Sequence, residues 1–208
     1  MNEIEILPLF PLAVLKTKLK RSLTKEELEF VDELKTNVQP NIGNITSDDI
    51  YVLDKPEFKQ IREFIDSAIE DYMDNIVQPK YDTTCYVTQS WLTWTEPGQY
   101  HHQHYHPNSF ISGVFYINAS SGGGDTDLIS FLNERHDHFD VQAGEYNLYN
   151  SRTWWVEVST GMLILFPSHL THQVPTTTSN DVRISLAFNT YLKGQLGVPG
   201  FANELILK

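Results

Sequence analysis

Between residues 83 and 192 the sequence consists of short apolar runs separated by turn residues. The runs are rich in Val, Ile, Thr, Tyr, Phe and Trp, and Gly, Pro, Asn and Asp punctuate them. Many short strands at such spacing are typical of a β-sandwich or barrel. No strand–helix alternation follows residue 80, so we do not expect a parallel doubly wound sheet. The sequence predicts a mainly β fold with flanking helices (α+β), with strands at 84–94, 110–118, 127–131, 153–159, 162–168 and 182–192.

Residues 1–80 carry helical signals instead. Thr24 and Glu27 form a capping-box pattern that predicts a helix near 25–37. Asp54 and Pro56 precede a second pattern of apolar residues with a 3.6-residue period that continues to about residue 77. We therefore expect an N-terminal helical segment, residues 1–80, packed on a core formed by residues 81–208, within a single domain.

Charge and cysteine content limit the partners and the compartment. The 208 residues include 15 basic and 27 acidic side chains, for a net charge of −12. A nucleic-acid or anionic-membrane surface needs a basic face, so we expect neither as a partner. The lone Cys85 excludes an intramolecular disulfide. Acidic residues precede the N-terminal apolar run, unlike in a signal peptide. The sequence predicts a cytoplasmic protein.

Histidines are concentrated at the start of one predicted strand. The stretch "QYHHQHYHPN" at 99–108 holds four of the eight histidines. In an extended segment His102 and His104, or His104 and His106, point to the same side. We expect His101 and His102 to be loop residues. A single histidine in a β-protein more often packs or faces solvent, but a cluster of four is harder to explain in that way.

A second group of histidines follows another apolar strand. "ILFPSHLTHQV" supplies His169 and His172. Two strand ends that carry histidines can meet across a β-sandwich. The pattern indicates a site for octahedral iron(II), held on one face by three side chains.

A cationic residue lies in the last predicted strand. Arg183 is flanked by apolar neighbours, and Ser185 shares its face. A buried Arg needs an anion, and together these side chains could hold a carboxylate. The alternative is an Arg on the sheet face that pairs with a surface acid.

These motifs together resemble those of the 2-oxoglutarate- and iron(II)-dependent oxygenase superfamily. The resemblance rests on His104-x-His106-Pro-Asn-Ser, "SGVFYI", "FPSHLTHQV" and "RISLAFN", and covers roughly residues 84–190. "QSWLTW", "PGQYHHQH" and "HPNSFISGVFYI" resemble, more narrowly, oxygenases of marine bacteria and of phages, especially cyanobacterial phages. A phage protein would act in the host cytoplasm.

The resemblance implies a double-stranded β-helix, or jelly roll, as the catalytic core. It implies a dioxygenase that uses Fe(II), 2-oxoglutarate and O₂ to hydroxylate a protein side chain or a small molecule. His104 would be the first metal ligand and His172 the distal one. Arg183 and Ser185 would bind the far carboxylate of 2-oxoglutarate. No catalytic residue beyond the metal ligands is required.

The middle ligand departs from the family pattern. The superfamily has Asp or Glu where this chain has His106. His106 either binds iron directly, or lies behind a site with two protein ligands, or is replaced by a carboxylate such as Asp125 or Asp127. We favour His106 as a ligand, which gives a metal site of three neutral imidazoles.

Aromatic residues near the motifs are candidates for the substrate rim. They are Tyr100, Tyr105, Trp91 and Trp155. Aromatic residues in a jelly roll more often pack in the core and at its rim than contact a substrate. The primary substrate is not predicted, and a homodimer contact through the N-terminal segment stays open.

Two other functions fit part of the pattern. A cupin-like metal enzyme that does not use 2-oxoglutarate would suit three histidines, but it would leave Arg183 and Ser185 without a role. A non-enzymatic jelly-roll protein of a virion, or a binding protein, would hold a structural metal or none.

Overall fold

The computed structural model describes residues 3–121, 126–134, 139 and 141–208. In this part of the chain it contains two α-helices and twelve strands. The helices are α1 (Lys25–Leu34) and α2 (Lys59–Tyr72), and a π-helical turn (Met73–Val77) continues α2. The strands are β1 (Leu15–Lys18), β2 (Val38–Asn41), β3 (Asn44–Ser47), β4 (Thr83–Thr95), β5 (His101–His104), β6 (Ile111–Asn118), β7 (Leu128–Leu132), β8 (Thr153–Glu157), β9 (Met162–Pro167), β10 (His172–Val174), β11 (Arg183–Leu196) and β12 (Leu205–Leu207).

The strands form two antiparallel sheets. The larger sheet has the order β1-β9-β6-β11-β4-β3-β2, with β12 paired to β11. The smaller sheet has the order β5-β10-β7-β8. From β4 onward the chain passes repeatedly between the two sheets. The prediction of a mainly β fold is confirmed, and no helix in the described residues is long and apolar enough to cross a membrane.

The N-terminal segment contains strands as well as helices. The Thr24 side chain and Glu27 form the predicted capping box at the start of α1. β1 pairs with β9, and the β2–β3 hairpin extends the sheet beyond β4. Three strands before residue 80 therefore belong to the larger sheet, and the division of the chain at residue 80 stays a prediction.

The larger sheet is buried on both faces. On one face Phe115 packs with residues of α2, and its ring lies 6.0 Å from that of Phe64. On the other face Tyr116 belongs to a second apolar cluster, with Phe131 of the smaller sheet and Phe166. Helices, larger sheet and smaller sheet thus form three layers, which explains why β6 is a continuous apolar run.

Gly113 keeps the centre of the larger sheet closely packed. It lies between Phe188 on β11 and Leu165 on β9, and both of these side chains are fully buried. A Cβ atom at residue 113 would overlap the ring of Phe188 and lie 2.7 Å from Leu165 Cδ2. The absence of a side chain here lets the Phe188 ring cross the strand.

We expect Gly113→Ala to lower the free energy of unfolding by about 1–3 kcal/mol, because the added methyl group overpacks the core. Urea denaturation measures the change. Gly144→Ala is the matched control, since a Cβ there has no neighbour within 4 Å, and it should change stability by less than about 0.5 kcal/mol. Equal stability of the two variants would contradict this account of the sheet.

Candidate metal and anion site between the sheets

Strand pairing brings the two groups of histidines together. His104 at the end of β5 lies directly opposite His172 at the start of β10. The chain turns after β5, and the His106 backbone N–H donates to Ser168 O at 2.9 Å. Three histidines from two separated segments therefore meet at one edge of the smaller sheet.

The three side chains have the separations expected of metal ligands. One ring nitrogen from each of His104, His106 and His172 lies within 4.8 Å of the other two. His106 Nε2 and His172 Nε2 are 3.3 Å apart. Two nitrogens that bind one ion at about 2.1 Å lie roughly 3.0–3.4 Å apart, so this pair fits an ion without rearrangement.

Hydrogen bonds fix which nitrogens are free. His104 Nδ1 lies 2.8 Å from His102 O, and His172 Nδ1 lies 3.0 Å from Leu170 O. A carbonyl only accepts, so both Nδ1 atoms carry the proton and both Nε2 atoms keep a lone pair. Such bonds to the outer nitrogen orient metal-binding histidines.

Burial keeps these imidazoles neutral. It lowers the pKa of His106 to about 4, and the nearby His104 adds to the effect. It lowers the pKa of His172 to about 3, and His104 again contributes. The pKa of His104 is lowered for the same reason. Neutral imidazole is the form that binds a metal, so the three donors are ready at neutral pH.

A buried network of hydroxyl groups holds the turn after His106. Ser168 Oγ donates to Ser109 Oγ at 2.7 Å and lies 2.8 Å from Ser112 Oγ. Ser109 Oγ also accepts from Thr190 N, and Ser112 donates to Asn189 Oδ1. The network ties the turn to β6 and β11, and so fixes His106 relative to His172.

A candidate anion site lies on the face of the larger sheet that packs against the smaller sheet. Arg183 is 2% exposed, and its Nε has no hydrogen-bond partner among the described residues. Tyr116 OH and Thr95 Oγ1 are also buried without a partner in this part of the chain. Thr95 lies opposite Arg183, and Tyr116 lies opposite Ser185, so all four side chains share one face.

These unpartnered atoms indicate a missing ligand. A buried guanidinium Nε and two buried hydroxyls without hydrogen-bond partners are costly, and native proteins rarely leave such groups unsatisfied. The Arg183 guanidinium carbon lies 5.0 Å from the centroid of the Tyr116 ring, so these two side chains are in contact. A carboxylate would satisfy all three at once.

Asp125 and Asp127 are the carboxylate alternatives to His106 as the middle ligand, and the structure describes only Asp127. Asp127 is buried, but its Oδ2 accepts from Ser120 N at 2.9 Å, and it belongs to neither histidine group of the described residues. Burial raises its pKa, while the Ser120 hydrogen bond and the Arg183 charge act in the opposite direction. Asp125 lies outside the described residues. The geometry thus favours His106.

The expectation that His101 and His102 are loop residues is wrong. Both belong to β5, and both rings contact the His104 ring, with centroids 4.5 and 4.9 Å away. β5 has two residues, His102 and Gln103, opposite the single residue Gln173 of β10. This bulge turns His101 to the side of His104.

The predicted rim residues lie at different distances from the histidines. The Trp91 ring is 5.9 Å from that of His106. Tyr105 is 59% exposed and lines a cavity of about 380 Å³ with His104, Glu134 and Thr171. Tyr100 is exposed beside Gly43 of the β2–β3 hairpin. Trp155 lies on the edge strand β8, where it stacks with Trp154.

Comparison with known proteins agrees with this chemistry. Residues 89–189 match the family model described as "Putative 2OG-Fe(II) oxygenase". By this match the segment is similar to 2-oxoglutarate- and Fe(II)-dependent oxygenases. The matched segment contains the three histidines and Arg183, and the family that it resembles uses iron and 2-oxoglutarate. No curated protein matches the sequence.

Solved structures share this fold. The carbocyclase SnoK from nogalamycin biosynthesis has a TM-score of 0.61 at 13% identity, over 88% of this chain and 81% of that one. A Pseudomonas putida prolyl-4-hydroxylase has a TM-score of 0.55 at 14% identity, over 86% and 92%. HygX from Streptomyces hygroscopicus, with nickel, 2-oxoglutarate and hygromycin B bound, has 0.55 at 12%, over 92% and 85%.

Sequence reasoning missed two residues of the anion site. Tyr116 lies within an apolar run and has the pattern of a core residue, and Thr95 ends a strand. Only the register that pairs them with Ser185 and Arg183 places these two residues on the same face as Arg183. A tyrosine in a fully buried strand was the one available signal, since its hydroxyl needs a partner.

We expect Ser168→Ala to lower stability by about 1–3 kcal/mol, because it removes the hydrogen bonds of the Ser168 hydroxyl to Ser109 and Ser112 in a buried network. The His106 backbone bond to residue 168 remains, so any loss of metal affinity reports on the hydroxyl network. We expect this loss to be about tenfold, measured by calorimetric titration with Fe(II) under anaerobic conditions. Ser22→Ala, at an exposed site, is the control. Unchanged stability and affinity would show that the network does not hold the turn.

Proposed function

We propose that His104, His106 and His172 bind the iron, and that Arg183, Ser185, Tyr116 and Thr95 bind the far carboxylate of 2-oxoglutarate. The observation that carries the proposal is the set of buried, unpartnered polar atoms on Arg183, Tyr116 and Thr95 beside three neutral histidines. Neither a structural metal nor simple packing would require a buried cation with a free Nε. A site for a carboxylate does.

Each group of residues would have a separate role. When bound, iron(II) with 2-oxoglutarate and O₂ supplies the oxidising power for hydroxylation. The histidines leave one side of the ion open, because all three come from the same edge of the smaller sheet. Arg183 neutralises and orients the carboxylate in a water-excluded space, where its charge acts strongly. No side chain needs to transfer a proton.

We propose that the oxygenase hydroxylates a protein side chain or a small molecule that enters through the cavity beside His104. Its volume of about 380 Å³ is in the range of small-molecule sites. Glu134 on its wall accepts a hydrogen bond from Thr171 Oγ1 at 2.7 Å, which gives the entrance an acidic group. Succinate release above the substrate-free background would identify substrates, and we expect basic or hydrogen-bond-donating compounds to score above acidic ones.

Three further assignments belong to the same proposal. The alternation of strands between two sheets supports a double-stranded β-helix core. The narrower resemblance supports an origin among marine bacteria or their phages. A single unpaired cysteine supports a reducing compartment, the cytoplasm. Size-exclusion chromatography with light scattering would test for the homodimer.

We expect Arg183→Met to abolish the binding of 2-oxoglutarate, because it removes the buried cation while keeping most of the volume. Truncating one partner of a buried charge pair costs about 2–5 kcal/mol, or at least about 30-fold in affinity. Tyr116→Phe should cost about tenfold or more, since it removes one hydrogen bond to a charged group. Anaerobic titration of Fe(II) and 2-oxoglutarate, followed by the metal-to-ligand charge-transfer band, measures both.

Arg62→Ala is the control for this experiment, since Arg62 lies on α2 and pairs with Asp54 and Asp66. It should bind 2-oxoglutarate as the wild type does. A wild-type band that persists in Arg183→Met at the same concentration of 2-oxoglutarate would contradict the assignment of Arg183. No band in any protein would favour a metal enzyme that does not use 2-oxoglutarate.

We expect His106→Ala to weaken Fe(II) binding by at least about 100-fold, because loss of a direct ligand exceeds the 10–100-fold cost of losing an outer partner of a ligand. His169→Ala is the matched control, since His169 follows the same strand but is exposed. Calorimetry with Fe(II) alone makes the result independent of turnover. Equal affinities of the two variants would place His106 behind a site with two protein ligands.

A further inference from the structure

The histidine cluster contains more donors than one metal site uses. Among the described residues two groups of three have ligand atoms within 4.8 Å of one another. One is the set assigned to iron. The other consists of His101, His102 and His104, so that His104 belongs to both.

The bulge in β5 creates the second group. In a regular strand His101 would face away from His104, because the two lie three positions apart and side chains alternate between the two faces. The extra residue opposite Gln173 reverses this, and the His101 and His104 rings stack at 4.5 Å with an interplanar angle of 16°. The His101 and His102 rings are 5.2 Å apart.

The donors of this second group are available. His102 Nδ1 is buried without a partner among the described residues. His101 Nε2 lies 3.3 Å from Asn41 Nδ2, and because an amide nitrogen only donates, this Nε2 holds a lone pair. A bound ion would replace one long hydrogen bond from Asn41.

We propose that His101, His102 and His104 form an alternative site for a transition-metal ion, which competes with the oxygenase site for His104. That His104, His106 and His172 form the oxygenase site rests on the proposed function. An ion held by the second group withdraws His104 from His106 and His172, so that occupancy of the second group inhibits the enzyme.

Zinc is the ion that this site would select over iron. Three imidazoles without a carboxylate suit Zn²⁺, and Zn²⁺ binds nitrogen ligands more tightly than Fe²⁺. The charge of Arg183 acts on His101 and opposes any nearby cation, so only an ion with high affinity for imidazole would bind.

The experiment removes the oxygenase site and keeps the second one. His106→Gln/His172→Gln is titrated with Zn²⁺ alone by calorimetry, and we expect about one zinc ion per chain. Adding His102→Gln to this protein should weaken zinc binding at least about 100-fold, as for loss of a direct ligand. Adding His169→Gln instead, at an exposed position, should leave it unchanged. The wild type should also bind about one zinc ion, because the two groups share His104.

Several results would overturn the proposal. They are no zinc binding by His106→Gln/His172→Gln, zinc binding that survives His102→Gln, or two zinc ions in the wild type. The corresponding Asn pair at 106 and 172, checked by circular dichroism, replaces the Gln pair if that protein does not fold. Because the readout is zinc binding, the result is independent of whether Arg183→Met supports the use of 2-oxoglutarate.

Discussion

The antiparallel pairing of β5 with β10 places His104 opposite His172, and the rest of the site depends on this register. The two residues are far apart in sequence, so only the passage of the chain between the two sheets brings them together. A slip of one residue would turn one of the rings to the other face of the smaller sheet. The hydroxyl network around Ser168 then adds His106, by holding the turn that follows β5 against β6 and β11.

Burial gives opposite consequences for the histidines and for Arg183. It keeps the imidazoles neutral, and so makes them good metal donors without any partner charge. A guanidinium cannot escape its charge in this way, because its pKa lies far above neutral pH. Arg183 therefore remains a buried cation whose Nε lacks a partner within the described chain, which destabilises the ligand-free protein and favours any anion that fits.

The sequence predicted those parts of the fold whose signal is local. Strands β4, β6, β9 and β11 are long and apolar, and each was predicted within a few residues of its observed bounds. The capping box of α1 is equally local. β5 and β10 were missed as strands because "HHQH" and "HQV" contain no apolar period, and their pairing arises only from the fold. β1, β2 and β3 were missed because short strands at a sheet edge resemble turns. The bulge and the anion-site hydroxyls depend on register, which a single sequence does not contain.

The absence of a carboxylate from both histidine groups of the described residues links the metal site to the anion site. A metal site with one Asp or Glu offsets part of the charge of a divalent ion by itself. Three neutral imidazoles offset none, while Arg183 adds a further positive charge on the same side of the larger sheet. A ligand with two carboxylates compensates both charges at once. One carboxylate would lie at the metal ion and the other at Arg183, and each would also reduce the repulsion between these two positive charges. On the proposed assignment, binding of the metal and of the dianion is mutually reinforcing, and because such coupling is reciprocal, we expect a chain that lacks either ligand to hold the other less tightly.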